Sequence, residues 1–497
     1  MEPLLRIASL ADFLLQRIER GSGQPVNRQI YQVVRTAILA RHLPVGLQLP
    51  SSRELARELT MSRNTVTHAY EQLIAEGYLE TRAGAGTFIA DTVPDQIADV
   101  CVGSRANSDQ AGLSGRGMQL VTRAGVNASQ WGAFMPGVPD VTQFPSKAWS
   151  RLQNTYWRRS RADMLTYGQA GGHLPLREAI AEYLRVSRSV NCGAAQVIIT
   201  TGIHQSIDLA ARLLGEHGDR AWVEEPGYWG TRSICQSLGI EPVPVPLDAE
   251  GMQVRQGDAA EPPRFIFVTP SHQYPLGTIM TLARRRQLLE YAAAHKAWIM
   301  EDDYDSEFRY GRRPLASLQG LDTQQRVLYM GTFSKTTFPG LRIGFLVVPE
   351  ALSEAFATGH SELYRGGQVF TQAILADFMT EGHFASHIRR MRVLYGVRLR
   401  LLQQAIEHHF GAMIGFSNGD AGLHLVLHLP AGCDDRAISD AARAQGIIAL
   451  ALSRYYMHAA NARPGLMLGY ACVPDEKIAP IFDQLARIIK QHWPDQQ

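Results

Sequence analysis

Val327-Leu328-Tyr329-Met330-Gly331-Thr332-Phe333-Ser334-Lys335 runs from an apolar stretch directly into a loop that holds two hydroxyls and a lysine, and Arg342 follows just before the next apolar run, Ile343 to Val348. Short apolar runs bounded by polar loops are the pattern of strands buried on both faces. Upstream, Trp298 to Glu301, Phe265 to Thr269, Ala221 to Glu224 and Val197 to Thr200 repeat it, with helical stretches between them. This alternation predicts an α/β body: an open, largely parallel sheet with helices on both faces and ligands at the carboxyl ends of its strands.

The loops after those strands carry the polar residues. Lysine is scarce, since only Lys147, Lys296, Lys335, Lys477 and Lys490 stand beside 44 arginines, so lysine-dependent chemistry has few candidates. Of the five, Lys335 has Thr332, Ser334 and Arg342 near it, a donor set suited to phosphate. Asp302 lies 33 residues earlier, just past a predicted strand, with Tyr304 beside it. Tyr228 ends Glu225-Pro226-Gly227-Tyr228, and Gly202, Ile203 and His204 open a helix whose first N–H groups lack intrahelical acceptors. Pyridoxal phosphate needs such a set: a lysine for the Schiff base (Lys335), a carboxylate for the pyridine nitrogen (Asp302), a donor to the phenolic oxygen (Tyr304), a ring to stack (Tyr228) and phosphate donors. Each residue alone has an ordinary explanation, because a lysine after a strand is usually a surface charge and an aspartate often caps a helix. Four loops offering the required types in a consistent order is the stronger signal.

Before Ala90 the patterning is helical. Ile30, Val33, Val34, Ala37 and Ile38 recur at helical spacing after Pro25, and Pro44-Val45-Gly46 breaks the chain. Ser51 and Glu54 have capping-box spacing for a short helix through Leu59. Val66, Ala69, Tyr70, Leu73 and Ile74 then form a stripe that leaves Arg63, Asn64, Thr67, His68 and Glu71 outward, up to Gly77. Two helices joined by the turn Thr60 to Ser62 predict a helix-turn-helix with Arg63, Asn64 and Thr65 at the end that enters the major groove. Tyr78 to Ile89, with Gly84 and Gly86 around a tight turn, predicts a β-hairpin wing carrying Arg82 toward the DNA backbone or minor groove. The same spacing also suits a plain helical cap whose polar residues face water. Residues 1–90 hold ten arginines against eight acids, so the DNA reading rests on pattern rather than charge.

At 497 residues, 45% hydrophobic and 19% charged, the chain has the make-up of two or more folded domains. Glu2, Arg6 and Asp12 interrupt the first apolar residues, which argues against a signal peptide, and no apolar run reaches the roughly 18 residues of a membrane span. Cys101, Cys192, Cys235, Cys433 and Cys472 show no metal or redox spacing, so a reducing cytoplasm and no metal site are expected. From Asp91 to about Gln130 periodicity gives way to Gly, Ser, Asn, Asp and Ala, which reads as a flexible linker. The expected domains are therefore 1–90 and 131–497, with 91–130 between them.

Leu49-Pro50-Ser51-Ser52-Arg53-Glu54-Leu55-Ala56, Ser62-Arg63-Asn64-Thr65-Val66, Glu76-Gly77-Tyr78-Leu79 and Gly84-Ala85-Gly86-Thr87-Phe88-Ile89 resemble the winged helix-turn-helix of the GntR family. That resemblance implies DNA contacts by Arg53, Arg63, Thr65 and the wing glycines Gly84 and Gly86, with Ser51, Asn64, Thr67 and Arg82 beside them. Thr201-Gly202 with Gln205, Glu225-Pro226-Gly227-Tyr228, Thr269-Pro270-Ser271-His272-Gln273-Tyr274-Pro275-Leu276-Gly277, Glu301 to Glu307 and Phe333-Ser334-Lys335 with Pro339 to Gly344 are similar to fold-type I aminotransferases. Joined, the two halves resemble the MocR/GabR group of regulators over nearly everything except the linker. The group implies a head-to-tail, domain-swapped homodimer on a double-stranded DNA operator, and Arg463, in Ala462-Arg463-Pro464-Gly465, as the clamp for an effector carboxylate. One position departs: Tyr274-Pro275 stands where aminotransferases have Asn-Pro, which removes the asparagine bond to the phenolic oxygen and lowers the expectation of transamination. The expected function is a cytoplasmic regulator that senses a small amino compound, or the cofactor itself, by aldimine exchange at Lys335. A working aminotransferase carrying a DNA-binding head, or a cofactor-free dimerisation scaffold, are the alternatives.

Overall fold

The computed structural model of the chain describes residues 10–19, 23–91, 112–122, 125, 131–158, 162–254, 261–310, 316–417 and 421–493. They fall into two compact units, Met1–Gly112 and Leu113–Gln497. Within these residues no helix is long and apolar enough to cross a membrane, and no group of three or more metal-ligating side chains occurs.

In the first unit, α1 (Leu10–Leu15), α2 (Val26–Leu39), α3 (Ser52–Glu58) and α4 (Arg63–Ala75) close around Leu14, Ile30, Val34, Leu55, Leu59, Val66 and Leu73, which have no exposed surface. Helix α3 begins at Ser51, whose Oγ accepts from the Glu54 amide at 3.2 Å. The expected wing is present as β2 (Leu79–Arg82) paired antiparallel with β3 (Gly86–Ile89), and β1 (Gln48–Leu49) adds a third strand on β3. At two residues, β1 is too short for any alternation to reveal it. Most of the 91–130 linker lies outside the described residues. Its described helix, Gly115–Thr122, belongs to the second unit and packs beside the helix Trp229–Leu238.

In the second unit the central sheet is built from β4 (Val197–Thr200), β5 (Arg220–Glu225), β6 (Glu241–Asp248), β7 (Gly251–Met252), β8 (Phe265–Val268), β9 (Trp298–Asp303), β10 (Val327–Thr332) and β11 (Gly344–Val347), in the order β4-β11-β10-β9-β8-β5-β6-β7. The run β10-β9-β8-β5-β6 is parallel, and β11 is antiparallel to both β10 and β4. Alternate side chains serve opposite faces. Ile198, Phe267, Met300 and Leu328 pack with the helix Ile203–Leu214, while Ile199, Tyr329 and Phe345 pack with the helices Leu174–Arg188 and Val369–Thr380. Strand β6 is missing from the sequence expectation because Pro242, Pro244 and Pro246 suggest a broken strand. In the structure these prolines take alternate positions of β6 and so share one side of the strand; the Pro246 carbonyl accepts from the Gln253 amide just beyond β7, so that side is turned from β5 toward the sheet edge, where proline is tolerated. A smaller sheet, β12 (His424–His428), β13 (Leu450–Ala451) and β14 (Gly465–Gly469), packs with the helices His383–Phe410 and Asp475–Gln491.

Strand β9 runs two residues past its expected end at Glu301, which makes Asp302 a strand residue rather than a loop residue. Its neighbour Asp303 is tied to the helix Leu174–Arg188: Arg188 Nε donates to Asp303 Oδ2 at 2.6 Å, an Arg188 terminal nitrogen donates to Ser271 Oγ at 2.6 Å, and the Tyr329 hydroxyl donates to the same carboxylate. Both side chains of the pair are 2% exposed. Arg188→Leu would leave the Asp303 carboxylate buried without its cation, so it is expected to lower the unfolding free energy by about 3 to 5 kcal/mol, measured by chemical denaturation; a loss below about 1 kcal/mol would show that the pair does not hold the strand end.

Candidate functional site

The site begins with the alternation of carboxylates along β9. Glu301 accepts from the amides of Leu318 and Gln319 at 2.8 Å each, and Asp303 meets Arg188 on the same face. Asp302, between them, faces the other side. Its Oδ1 is buried and has no hydrogen-bond partner among the described residues. Burial, reinforced by Asp303 and opposed by Lys335, raises the Asp302 pKa to about 8.

Strand β10, the parallel neighbour of β9, leads into Lys335. Thr332 Oγ1 accepts from the Ser334 amide at 3.2 Å, and Lys335 Nζ donates to the Gly137 carbonyl at 2.7 Å. Gly137 has a φ of +69°, and a Cβ there would stand 3.0 Å from the Lys335 nitrogen, so glycine permits this approach. Burial lowers the Lys335 pKa; Asp305 and Asp302 oppose that shift and Arg342 adds to it. A larger share of neutral amine is what a nucleophilic lysine requires.

An anion cradle lies beside this lysine. Gly202 caps the helix Ile203–Leu214 at a φ of +126°, and a Cβ on it would be 3.5 Å from the Arg342 guanidinium. His204 follows on the same helix, its pKa lowered by burial and then by Arg342. The Ile203 side chain packs into the core below, which leaves its main chain for a ligand. Free helix-start amides facing a guanidinium form an anion site without further devices.

Aromatic rings complete the chamber. Tyr228 places its hydroxyl 2.7 Å from His204 Nε2. Tyr274 stands edge-on to Tyr228 (5.7 Å, 88°) and to Tyr304 (5.6 Å, 89°), with its hydroxyl 3.2 Å from that of Tyr455. The Tyr304 hydroxyl lies 3.0 Å from His272 Nδ1, which is also 3.1 Å from both Asp305 oxygens. Sequence reasoning assigned no role to His272, Asp305 or Tyr455, and treated Tyr274 only as a departure from Asn-Pro. The available signal was Glu301 to Asp305, a run too polar for a buried strand end unless the fold supplies partners.

Arg463 lies elsewhere. It is exposed and lines a cavity of about 890 Å³ with Glu225, Leu276, His428 and Tyr456. Neither Lys335 nor Asp302 lines that cavity. The two compartments adjoin along the chain, through Tyr274 and Leu276, Tyr455 and Tyr456, and Glu225 and Tyr228.

In the first unit Arg63 and Asn64 open α4 and are exposed, with Thr65 half-buried behind them, and Arg53 is exposed on α3. Ser51 and Thr67 line a surface depression with Glu54 and Glu71. Arg82 pairs with Glu80 at 2.6 Å and lies 4.6 Å from the Phe88 ring centroid. That exposed pair is worth little and can be exchanged for a phosphate. Gly84 (φ +74°) and Gly86 (φ +114°) shape the wing tip.

The residues present fit pyridoxal phosphate: the buried Asp302 oxygen has no partner among the described residues, the cradle of Gly202 and Arg342 suits a phosphate, and Lys335 is close enough to Asp302 and Arg342 to feel the charge of both. Residues 138–485 match the family "Aminotransferase class I and II", and residues 26–89 match "Bacterial regulatory proteins, gntR family". The chain therefore belongs to the class I and II aminotransferase family and, with its GntR head, to the MocR-type regulators. It is 41% identical over 455 residues to "Probable rhizopine catabolism regulatory protein MocR" of Rhizobium meliloti, a match covering 91% of this chain and 92% of that protein. With the HTH-type pyridoxine biosynthesis transcriptional regulator PdxR of Corynebacterium glutamicum it shares 32% identity, covering 92% and 94% of the two chains. The multiple substrate aminotransferase of Thermococcus profundus superposes with a TM-score of 0.68 at 25% identity, over 76% of this chain and 98% of that one.

With a folded-state pKa of about 8 against an ordinary 3.8, the Asp302 carboxyl keeps a proton that the unfolded chain releases. Its contribution to stability is therefore lost as pH rises from about 4 to about 8. In cofactor-free protein, Asp302→Asn is expected to be the more stable form at pH 8, with the gap closing toward pH 4, as read from denaturation midpoints. A gap independent of pH would show that Asp302 is not the protonated group.

Proposed function

We propose that this chain is a cytoplasmic transcription regulator that binds a double-stranded operator through its GntR head and uses the Lys335 chamber to hold pyridoxal phosphate and detect a small amino compound. The observation that carries the cofactor assignment is Asp302. A buried carboxyl oxygen without a partner is costly, and a pyridine N–H is a donor of the kind it lacks. When bound, pyridoxal phosphate supplies an aldehyde that condenses reversibly with primary amines. Lys335 would hold that carbon through its amine, Asp302 would keep the pyridine nitrogen protonated, and Tyr228 would cover the ring. The backbone of Gly202, Ile203 and His204, with Thr332, Ser334 and Arg342, would hold the phosphate, and Tyr304 would serve the phenolic oxygen. Arg463 would fix an effector carboxylate through its planar fork, in the cavity next door. The Tyr274 hydroxyl, turned to Tyr455, supports sensing over turnover.

On the DNA side, Arg63, Asn64 and Thr65 at the start of α4 would read base edges. Arg53, Ser51, Thr67 and the wing, with Arg82, Gly84 and Gly86, would fix the register on the backbone. The proposed organisation is a head at 1–90, a linker at 91–130 and a body at 131–497, assembled head to tail as a homodimer. A coupling of about 1 to 3 kcal/mol between effector and operator changes DNA affinity roughly 5- to 150-fold.

Two measurements test the halves separately. Borohydride treatment of the loaded protein is expected to give a phosphopyridoxyl peptide containing Lys335, absent from Lys335→Ala; a reducible covalent chromophore retained in that variant would overturn the lysine assignment. Arg63→Ala is expected to weaken operator binding by about 1 to 3 kcal/mol, with a smaller loss on unrelated DNA and an unchanged visible spectrum. Unaltered affinity in the folded variant would place recognition elsewhere.

A further inference from the structure

The lining of the cavity beside the Lys335 chamber includes an arginine and a glutamate whose bonding among the described residues is incomplete. Arg463 is exposed on its lining and forms no ion pair among the described residues. Glu225, the last residue of β5, lines the same cavity but is only 6% exposed. Its Oε1 accepts from the His458 amide at 2.9 Å, whereas its Oε2 is buried with no hydrogen-bond partner among the described residues. One accepted amide bond leaves most of a carboxylate's acceptor capacity unused, and a buried carboxylate in that state favours a ligand that brings donors and positive charge. The lining also includes the apolar residues Pro226, Leu276, Ile279 and Phe416. The cavity of about 890 Å³ is ample for an amino-acid-sized ligand.

We infer that this cavity selects diamino monocarboxylic acids. The carboxylate sits on Arg463, the second ammonium pairs with the Glu225 carboxylate, and the methylene chain lies along the apolar wall while the other amine is presented toward Lys335. The inference rests on the reading that the Lys335 chamber detects amines. A hydroxyl at the distal end would satisfy the hydrogen bond but not the charge; an ammonium does both. A second carboxylate would meet Glu225 as a like charge and be rejected, so the same pair of residues excludes dicarboxylic amino acids.

The test is calorimetric titration of the pyridoxal-phosphate-loaded, full-length protein with L-ornithine, L-norvaline and L-glutamate, recording the visible spectrum of the same samples. Ornithine and norvaline differ only in the terminal amine. Ornithine is expected to bind about tenfold tighter than norvaline or better, with glutamate weakest, and Glu225→Gln is expected to reduce the ornithine preference to about threefold or less. Norvaline binding as tightly as ornithine overturns the inference, and so does a full preference surviving in folded Glu225→Gln. The wild-type series stands by itself if that variant does not fold. Selective heats without any spectral change would uphold the cavity assignment and sink the reading of Lys335. Spectral changes without selectivity would do the reverse, and absence of both signals overturns the selector.

Discussion

Carboxylate burial at the end of β9 is the constraint on which the rest of the body depends. Glu301, Asp302 and Asp303 follow one another on a strand that is buried on both faces, so each needs separate compensation. The fold meets this with three solutions. Backbone amides of Leu318 and Gln319 take Glu301, Arg188 with Tyr329 takes Asp303, and Asp302 is left with a buried oxygen that has no partner among the described residues. Rigid partners on one face fix the strand end, and the residue left open on the other face is thereby held at a set depth beside Lys335. A ligand atom that satisfies Asp302 gains both the missing hydrogen bond and the relief of its raised pKa.

The same economy extends outward. Lys335 is held by the Gly137 carbonyl, in a chamber where Asp302 and Asp305 favour its charge while burial and Arg342 oppose it. Asp305 in turn holds His272, whose Nδ1 also faces the Tyr304 hydroxyl. If Nδ1 carries its proton toward Asp305, the Tyr304 hydroxyl is free to donate into the chamber. In that tautomer the His272 and Asp305 pair positions the Tyr304 hydroxyl through hydrogen-bond directionality.

Legibility in the sequence followed the distance over which the chemistry is organised. The helix-turn-helix could be read because Ser51 caps α3 and the apolar stripe of α4 repeats within a few residues. The six predicted strands could be read because each is a short continuous apolar run, and the Lys335 loop because its donors are local. Contacts made across long sequence separation left no local trace: Gly137 reaches Lys335 over 198 residues, and His458 reaches Glu225 over 233. Strand β6 was hidden by its prolines, whose tolerance depends on an edge that only the assembled sheet defines. Tyr274 was legible as a departure from Asn-Pro, but its bond to Tyr455 was not, because the partner lies 181 residues away.

A sensor can shift an equilibrium only by its differential affinity for two states, so the groups able to transmit a signal are those whose partners change when ligand binds. Among the described residues Asp302 and Glu225 are two such groups in the body, each with a buried oxygen lacking a donor, and Arg463 forms no ion pair there. Glu225 also accepts from the amide of His458, and Arg463 lies five residues beyond that amide, so a ligand bridging the two side chains would act on both ends of one short segment. Tyr455 and Tyr456 open the same stretch, and Tyr455 touches Tyr274 in the chamber wall. Residues 455 to 463 thus run from the wall of the Lys335 chamber to the lining of the Arg463 cavity, a covalent link between the two compartments.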